Sequence, residues 1–106
     1  MLELAHILLP GGPMRVAPFS HAVRAGDFLF VTGQMPTLPE DNTRCVEGDV
    51  AVQTRQVISN LQSVLAGSGA LWEAAFPPGT LPARTTVGVT GLALGALVEI
   101  DLVVAL

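Results

Sequence analysis

One stretch of this 106-residue chain specifies its own local structure. Val50, Val57, Ile58, Leu61, Val64 and Leu65 recur at helical spacing, with Gln53, Arg55, Gln56 and Gln62 between them. Asp49 stands where an N-cap belongs, and Gly67-Ser68-Gly69 supplies the stop. The pattern predicts a helix about 25 Å long with one apolar stripe, which must be laid onto a sheet to be covered. Gln53 and Arg55 are expected on its solvated face, and Asn60 in a local hydrogen bond.

The sheet comes from shorter runs. Met1 to Leu9 is apolar with two polar interruptions and ends at Pro10-Gly11-Gly12-Pro13, which predicts a first strand and a turn. His6 has no companion at metal-ligand spacing and reads as a strand histidine. Gly26-Asp27 is a hairpin-type turn signal before Phe28-Leu29-Phe30-Val31-Thr32, a continuous apolar run expected to be covered on both faces. Gly33 ends that run, either to let backbone approach a ligand closely or to permit a bend. Met35 to Val46, with two prolines and mixed charge, reads as a surface loop. Leu71 to Phe76 is a helix too short to stand alone, so its stability must come from Trp72 and Phe76 packing on the sheet. Val98, Ile100, Leu102 and Val104 then alternate as a half-buried strand, which aims Glu99 and Asp101 at the opposite face.

Chemistry concentrates in Leu81-Pro82-Ala83-Arg84-Thr85-Thr86-Val87-Gly88-Val89 and in Val98-Glu99-Ile100-Asp101. Arg84, the last arginine of the chain, stands at the entrance of an expected Thr/Val strand. Its guanidinium is a planar fork that suits a small carboxylate bidentately. Glu99 can move a proton or activate water. Together they make a minimal site for a small amino or keto acid. A structural ion pair between the same two side chains, on neighbouring strands, is the alternative.

Composition narrows the classes. The chain carries a net charge of −4 and contains no lysine, so no basic stripe exists to neutralise phosphates and nucleic-acid binding is not expected. Without lysine there is no Schiff base to pyridoxal phosphate or to a carbonyl substrate. Cys45 is alone, which excludes an internal disulfide and a cysteine metal cluster, and it reads as an incidental thiol. Half the residues are hydrophobic, only 13% are charged, and the mean hydropathy is +0.56. That excess over a small soluble monomer favours an oligomer. No span is expected, because the uncharged run Thr85–Val98 is too short and is studded with Gly and Thr. The N-terminus has no basic region ahead of its apolar residues, and a cytoplasmic protein is the expectation.

Five blocks occur in order: Ala17-Pro18-Phe19-Ser20-His21-Ala22-Val23; Phe30-Val31-Thr32-Gly33-Gln34; Gly48-Asp49 leading to Gln53-Thr54-Arg55 and Asn60-Leu61; Pro82-Ala83-Arg84-Thr85-Thr86-Val87; and Val98-Glu99-Ile100. In this the chain resembles the Rid family (reactive intermediate deaminases, also called the YjgF family) from Pro18 to Ala105. The resemblance implies one α+β domain over residues 1–106 with the chorismate-mutase-like Rid fold, a mixed sheet with helices on one face. It also implies a homotrimer whose ligand clefts lie between subunits. The implied activity is hydrolysis of reactive enamines and imines, such as 2-aminoacrylate, to keto acids and ammonia, with no metal or organic cofactor. Carried onto this sequence, Arg84 and Glu99 are the catalytic pair, and Phe19, Thr32, Gly33, Arg84 and Thr86 contact the small carboxylate-bearing substrate.

Three departures from the family pattern stand out. Phe19 replaces a tyrosine found in many relatives, so it packs against substrate but cannot donate a hydrogen bond. Thr86 stands where some relatives have cysteine. Between Ala70 and Leu71 a strand and most of a helix, a couple of dozen residues, are expected to be absent. A non-catalytic keto-acid-binding or regulatory trimer of the same fold is the alternative function, and a partner-binding surface resting on the apolar excess is a third.

Overall fold

The computed structural model describes residues 3–15 and 17–106. Four strands form its main sheet in the order β1-β2-β3-β6: β1 (Leu4–Ile7), β2 (Ala22–Ala25), β3 (Phe28–Gln34) and β6 (Ile100–Ala105). All three pairings are antiparallel, so this sheet lacks the parallel component of a mixed one. Met1 and Leu2, where the first strand was expected to begin, lie outside the described residues. β2 and β3 are joined at Gly26, whose φ of 57° is the left-handed conformation such a turn requires.

The expected helix is α1 (Val50–Gly67), and the Asp49 carboxylate caps it by accepting from the Val52 N–H at 2.9 Å. The C-terminal end unwinds through Ser68 into Gly69 at φ 79°, with the Ala70 N–H donating to the Leu65 carbonyl. Val57, Leu61, Val64 and Leu65 press onto Ala22, Leu29 and Val31 of the sheet and Val104 of β6, all fully or nearly fully buried. The result is an α+β fold with its helices on one face.

Three sequence expectations need correction. Phe28 and Phe30 are each about half exposed, because β3 is covered on one face only. On that outer face Leu4 and Phe28 share a row, as do Phe30 and Val103, and all four are exposed. The segment expected as a plain loop after Met35 folds into a small hairpin, β4 (Thr37–Leu38) with β5 (Asp41–Cys45). Asp41 tightens it by accepting from both the backbone N–H and the hydroxyl of Thr43, which holds its carboxyl below the usual range. Gln53 is buried: its amide donates to the Val46 carbonyl and its oxygen accepts from the Leu97 N–H at 2.9 Å. A side chain that satisfies backbone groups on two other segments gains more from burial than from water.

Asn60 is likewise buried and donates to the Met35 and Thr37 carbonyls at 3.0 Å each while accepting from Gln56. Its partners are distant in sequence as well as local. α2 (Trp72–Ala75) has Trp72 and Ala75 packed against the core, whereas Phe76 lies against Trp72 with ring centroids 4.5 Å apart.

Candidate functional site

The site is built where β3 ends, and a histidine fixes its surroundings. His21 is buried, its Nδ1 accepts from the Leu9 N–H at 3.1 Å, and its Nε2 lies 2.6 Å from the Pro13 carbonyl. Accepting at Nδ1 requires the proton on Nε2, so the ring is the neutral tautomer that donates to Pro13. Both nitrogens are thereby committed to holding the 9–13 loop against the sheet. Thr32 ties down the next turn: its N–H donates to the His21 carbonyl and its hydroxyl to the Ser20 carbonyl.

Just past Thr32 the register of β3 against β6 shifts between Val31 and Gln34. Gly33 falls within this irregular stretch, with Glu99 beside it. A Cβ on Gly33 would stand 2.6 Å from the Glu99 Oε1, so glycine is what lets the carboxylate lie against the strand. Close approach, one of the two readings open from the sequence, is the one found. Beside it is a hollow lined by Arg15, Phe19, His21, Gly33, Gln34 and Met35, among others. Gln34 is buried there, with its amide donating to the Thr32 carbonyl.

The structure therefore places Phe19 and Gly33 on one hollow and sets Glu99 against Gly33, outside the hollow's lining, with Thr32 tying down the carbonyls of Ser20 and His21. It does not bring Arg84 or Thr86 to them. Both lie in a segment, 77–91, that is exposed at every residue. Thr85–Val89 was expected to be a strand; it is irregular, and Leu81, Val87 and Val89 are 94%, 72% and 60% exposed. A strand is stable only when its N–H and C=O groups find a neighbour, and among the described residues this segment has none.

Two residues at the site carry no periodic signal and were not expected there. Arg15 donates from Nη1 to the Phe19 carbonyl at 2.9 Å, and its own carbonyl accepts from the Asn42 amide at 2.5 Å. His21 is the other. Cys45 stays apart from the hollow's lining, and burial pushes its thiol above the ordinary range. Chemically the arrangement offers a carboxylate over a glycine, an aromatic wall and a guanidinium at one mouth. That set suits a small planar anionic ligand next to a group able to handle a proton. Among the described residues no helix is long and apolar enough to cross a membrane, and no three His, Cys, Asp or Glu side chains gather as a metal site would.

Comparison with known proteins agrees with this architecture. Residues 12–75 match the family model described as Endoribonuclease L-PSP. A RutC family protein of Synechocystis is 35% identical over 117 aligned positions, covering 89% of this chain and 90% of the relative. Since 89% of this chain is about 94 residues, about 23 positions of the relative have no counterpart within the aligned span. The chloroplastic Reactive Intermediate Deaminase A of Arabidopsis thaliana is 28% identical over 116 positions, covering 89% of this chain and 62% of that protein. A Rid-family protein of unknown function from Yersinia pestis superimposes with a TM-score of 0.85 at 28% identity, over 98% of this chain and all of that one. The chain belongs to the Rid (YjgF, RutC) family.

Proposed function

We propose that this chain is an imine and enamine deaminase that converts 2-aminoacrylate-type compounds to keto acids and ammonia. The observation that carries the reading is the Glu99 carboxylate lying against Gly33 beside the hollow walled by Phe19. A planar imine over Gly33 would expose its carbon to water beside Glu99. A 2-aminoacrylate-type enamine first takes a proton from solvent at its methylene carbon and becomes the imine protonated on nitrogen. The carboxylate then takes a proton from water as oxygen bonds to carbon and the C=N π pair moves to nitrogen. It returns that proton to the amino nitrogen of the carbinolamine as the C–N bond breaks, ammonia leaves, and the hydroxyl proton passes to solvent as the keto C=O forms. Such imines also hydrolyse unaided, so acid–base help on the order of 10²- to 10⁴-fold is sufficient. Backbone at Gly33 and Arg84 holds the nitrogen end.

Arg84 is the receptor for the substrate carboxylate in this reading, with Thr86 beside it. It reaches the hollow when its segment is paired in an assembly. We infer that the positions absent from this chain fall between Ala70 and Leu71, and that their loss leaves 81–91 without a neighbour inside one subunit. A homotrimer with sites between subunits supplies what one chain lacks. The two exposed rows that carry Leu4 with Phe28 and Phe30 with Val103 support it, since an apolar sheet face of this kind is usually covered by another subunit. The enzyme so described is cytoplasmic.

The separation of Arg84 from Glu99, together with phenylalanine at position 19, favours a second reading in which the trimer binds keto acids without turning anything over. Turnover of 2-aminoacrylate, generated in situ by a dehydratase, separates the two. The deaminase releases ammonia and pyruvate faster than the uncatalysed rate. A protein that binds pyruvate or 2-ketobutyrate and leaves that rate unchanged is the binder.

A further inference from the structure

We propose that the segment 85–89 of one copy adds as a strand along the open edge of β6 in a second copy. This names the pairing that the assembly reading above leaves open, and it holds whether or not the assembly turns over an imine.

Both halves of the contact are present on every chain. β6 ends the sheet order and is bonded to β3 along one side only. Among the described residues, no backbone hydrogen bond from another element reaches 100–105 on its other side. The segment 81–91 is the complementary half. It is exposed at every residue, and among the described residues no backbone hydrogen bond ties it to another element.

Neither half carries what normally keeps strands apart. Exposed sheet edges in folded proteins usually hold lysine or proline, which stop another strand from adding. β6 has neither, and its one charged residue is Asp101. Thr85-Thr86-Val87-Gly88-Val89 contains no charge and no proline, and threonine and valine favour an extended backbone. Backbone groups in water are already solvated, so pairing is favourable chiefly through the apolar side chains covered with it. Val87 and Val89 on the segment and Val103 on β6 are exposed and available for that.

The sheet has a second edge, β1, but it offers four residues where β6 offers six. β6 also has α2 packed against it, and its inward side chains Ile100 and Leu102 stay only half-buried. A strand added there covers apolar area as well as pairing backbone.

Hydrogen exchange read by mass spectrometry tests this on the full chain, over a dilution series that crosses the association seen by light scattering. The amides of 85–89 and those of 100–105 are expected to slow together, by about tenfold or more, as copies associate. Val87→Pro removes an N–H and resists strand pairing. Val87 is exposed, so the variant should keep the fold of a single copy, read as unchanged protection of α1, and lose the joint slowing. Joint slowing that survives Val87→Pro overturns the proposal. So does fast exchange of 85–89 in an associated form, which leaves assembly through the outer sheet face standing. Slowing that is independent of concentration means that the segment folds back on its own chain, and slowing of 85–89 without 100–105 means another acceptor; either overturns it. A monomer at every concentration overturns the pairing and the assembly reading together.

Discussion

Helix α1 and the segment 81–91 are both rich in apolar residues, yet one is the spine of the core and the other is bare. Within α1, Val57, Leu61, Val64 and Leu65 are each at most 1% exposed, whereas every residue of 77–91 is exposed. The difference lies in where each element finds its backbone partners. A helix bonds residue to residue four apart and brings its apolar stripe to the sheet already formed. An extended segment borrows its partners from another strand, and its side-chain alternation is irrelevant until one is present. The polar bonds follow the same division. Gln53 and Asn60 reach out from α1 to satisfy three backbone carbonyls and one N–H on other segments, so the helix organises the loops around it as well as the core.

The largest expected effect tests the packed side of this contrast. Leu61→Ala should lower unfolding free energy by about 2–5 kcal/mol in urea titration, because the surrounding core cannot close over the lost volume. A loss below about 1 kcal/mol would mean that α1 is less tightly held than its burial implies. Gly33→Ala comes next and sharpens the boundary between stability and function. The new methyl meets the far end of a flexible side chain, so Glu99 shifts and stability changes by no more than about 1 kcal/mol. Deamination should fall about tenfold or more, since a small displacement of a catalytic group is costly. Equal turnover with normal stability would remove the Gly33–Glu99 contact from the mechanism.

The bare side is tested by proteolysis. Trypsin should cut after Arg84 well before it cuts after Arg55, which lies in α1. Assembly into a trimer or saturation with a keto acid should slow the Arg84 cut. Preferential cutting at Arg55 would contradict the exposure difference. The smallest effect concerns Cys45. Burial raises its thiol above the ordinary range, so less thiolate is present at neutral pH than in a free cysteine. Alkylation by iodoacetamide should therefore be slower than for a model thiol at pH 7 and accelerate as pH rises. A rate equal to the model thiol at pH 7 would show that the side chain is not shielded.

What the sequence revealed divides along the same line as the two regions. The Asp49 cap, the apolar stripe of α1 and the alternation of Ile100, Leu102 and Val104 are local signals, and each is found in place. Gly33 left two readings open, and choosing between them required knowing that Glu99 arrives from the other strand. Gln53 looks like a surface residue because its polar side chain carries no mark of its partner forty-four residues away. Arg15 and His21 belong to the hollow through loop contacts that obey no period. Arg84 was recognisable by its chemistry and its sequence block. Its position was not, since an extended segment without a pairing neighbour has no register to place it.

The claim that the Gly33–Glu99 corner does the chemistry is tested most directly by Glu99→Gln. Glutamine keeps the shape and reach of glutamate but cannot take a proton at neutral pH. Single-turnover deamination of 2-aminoacrylate should fall about 10²-fold or more, while affinity for pyruvate or 2-ketobutyrate holds within a few-fold. If binding weakens and turnover falls mainly through KM, Glu99 orients a receptor and does not handle the proton. Unchanged turnover by a folded variant would contradict the account outright.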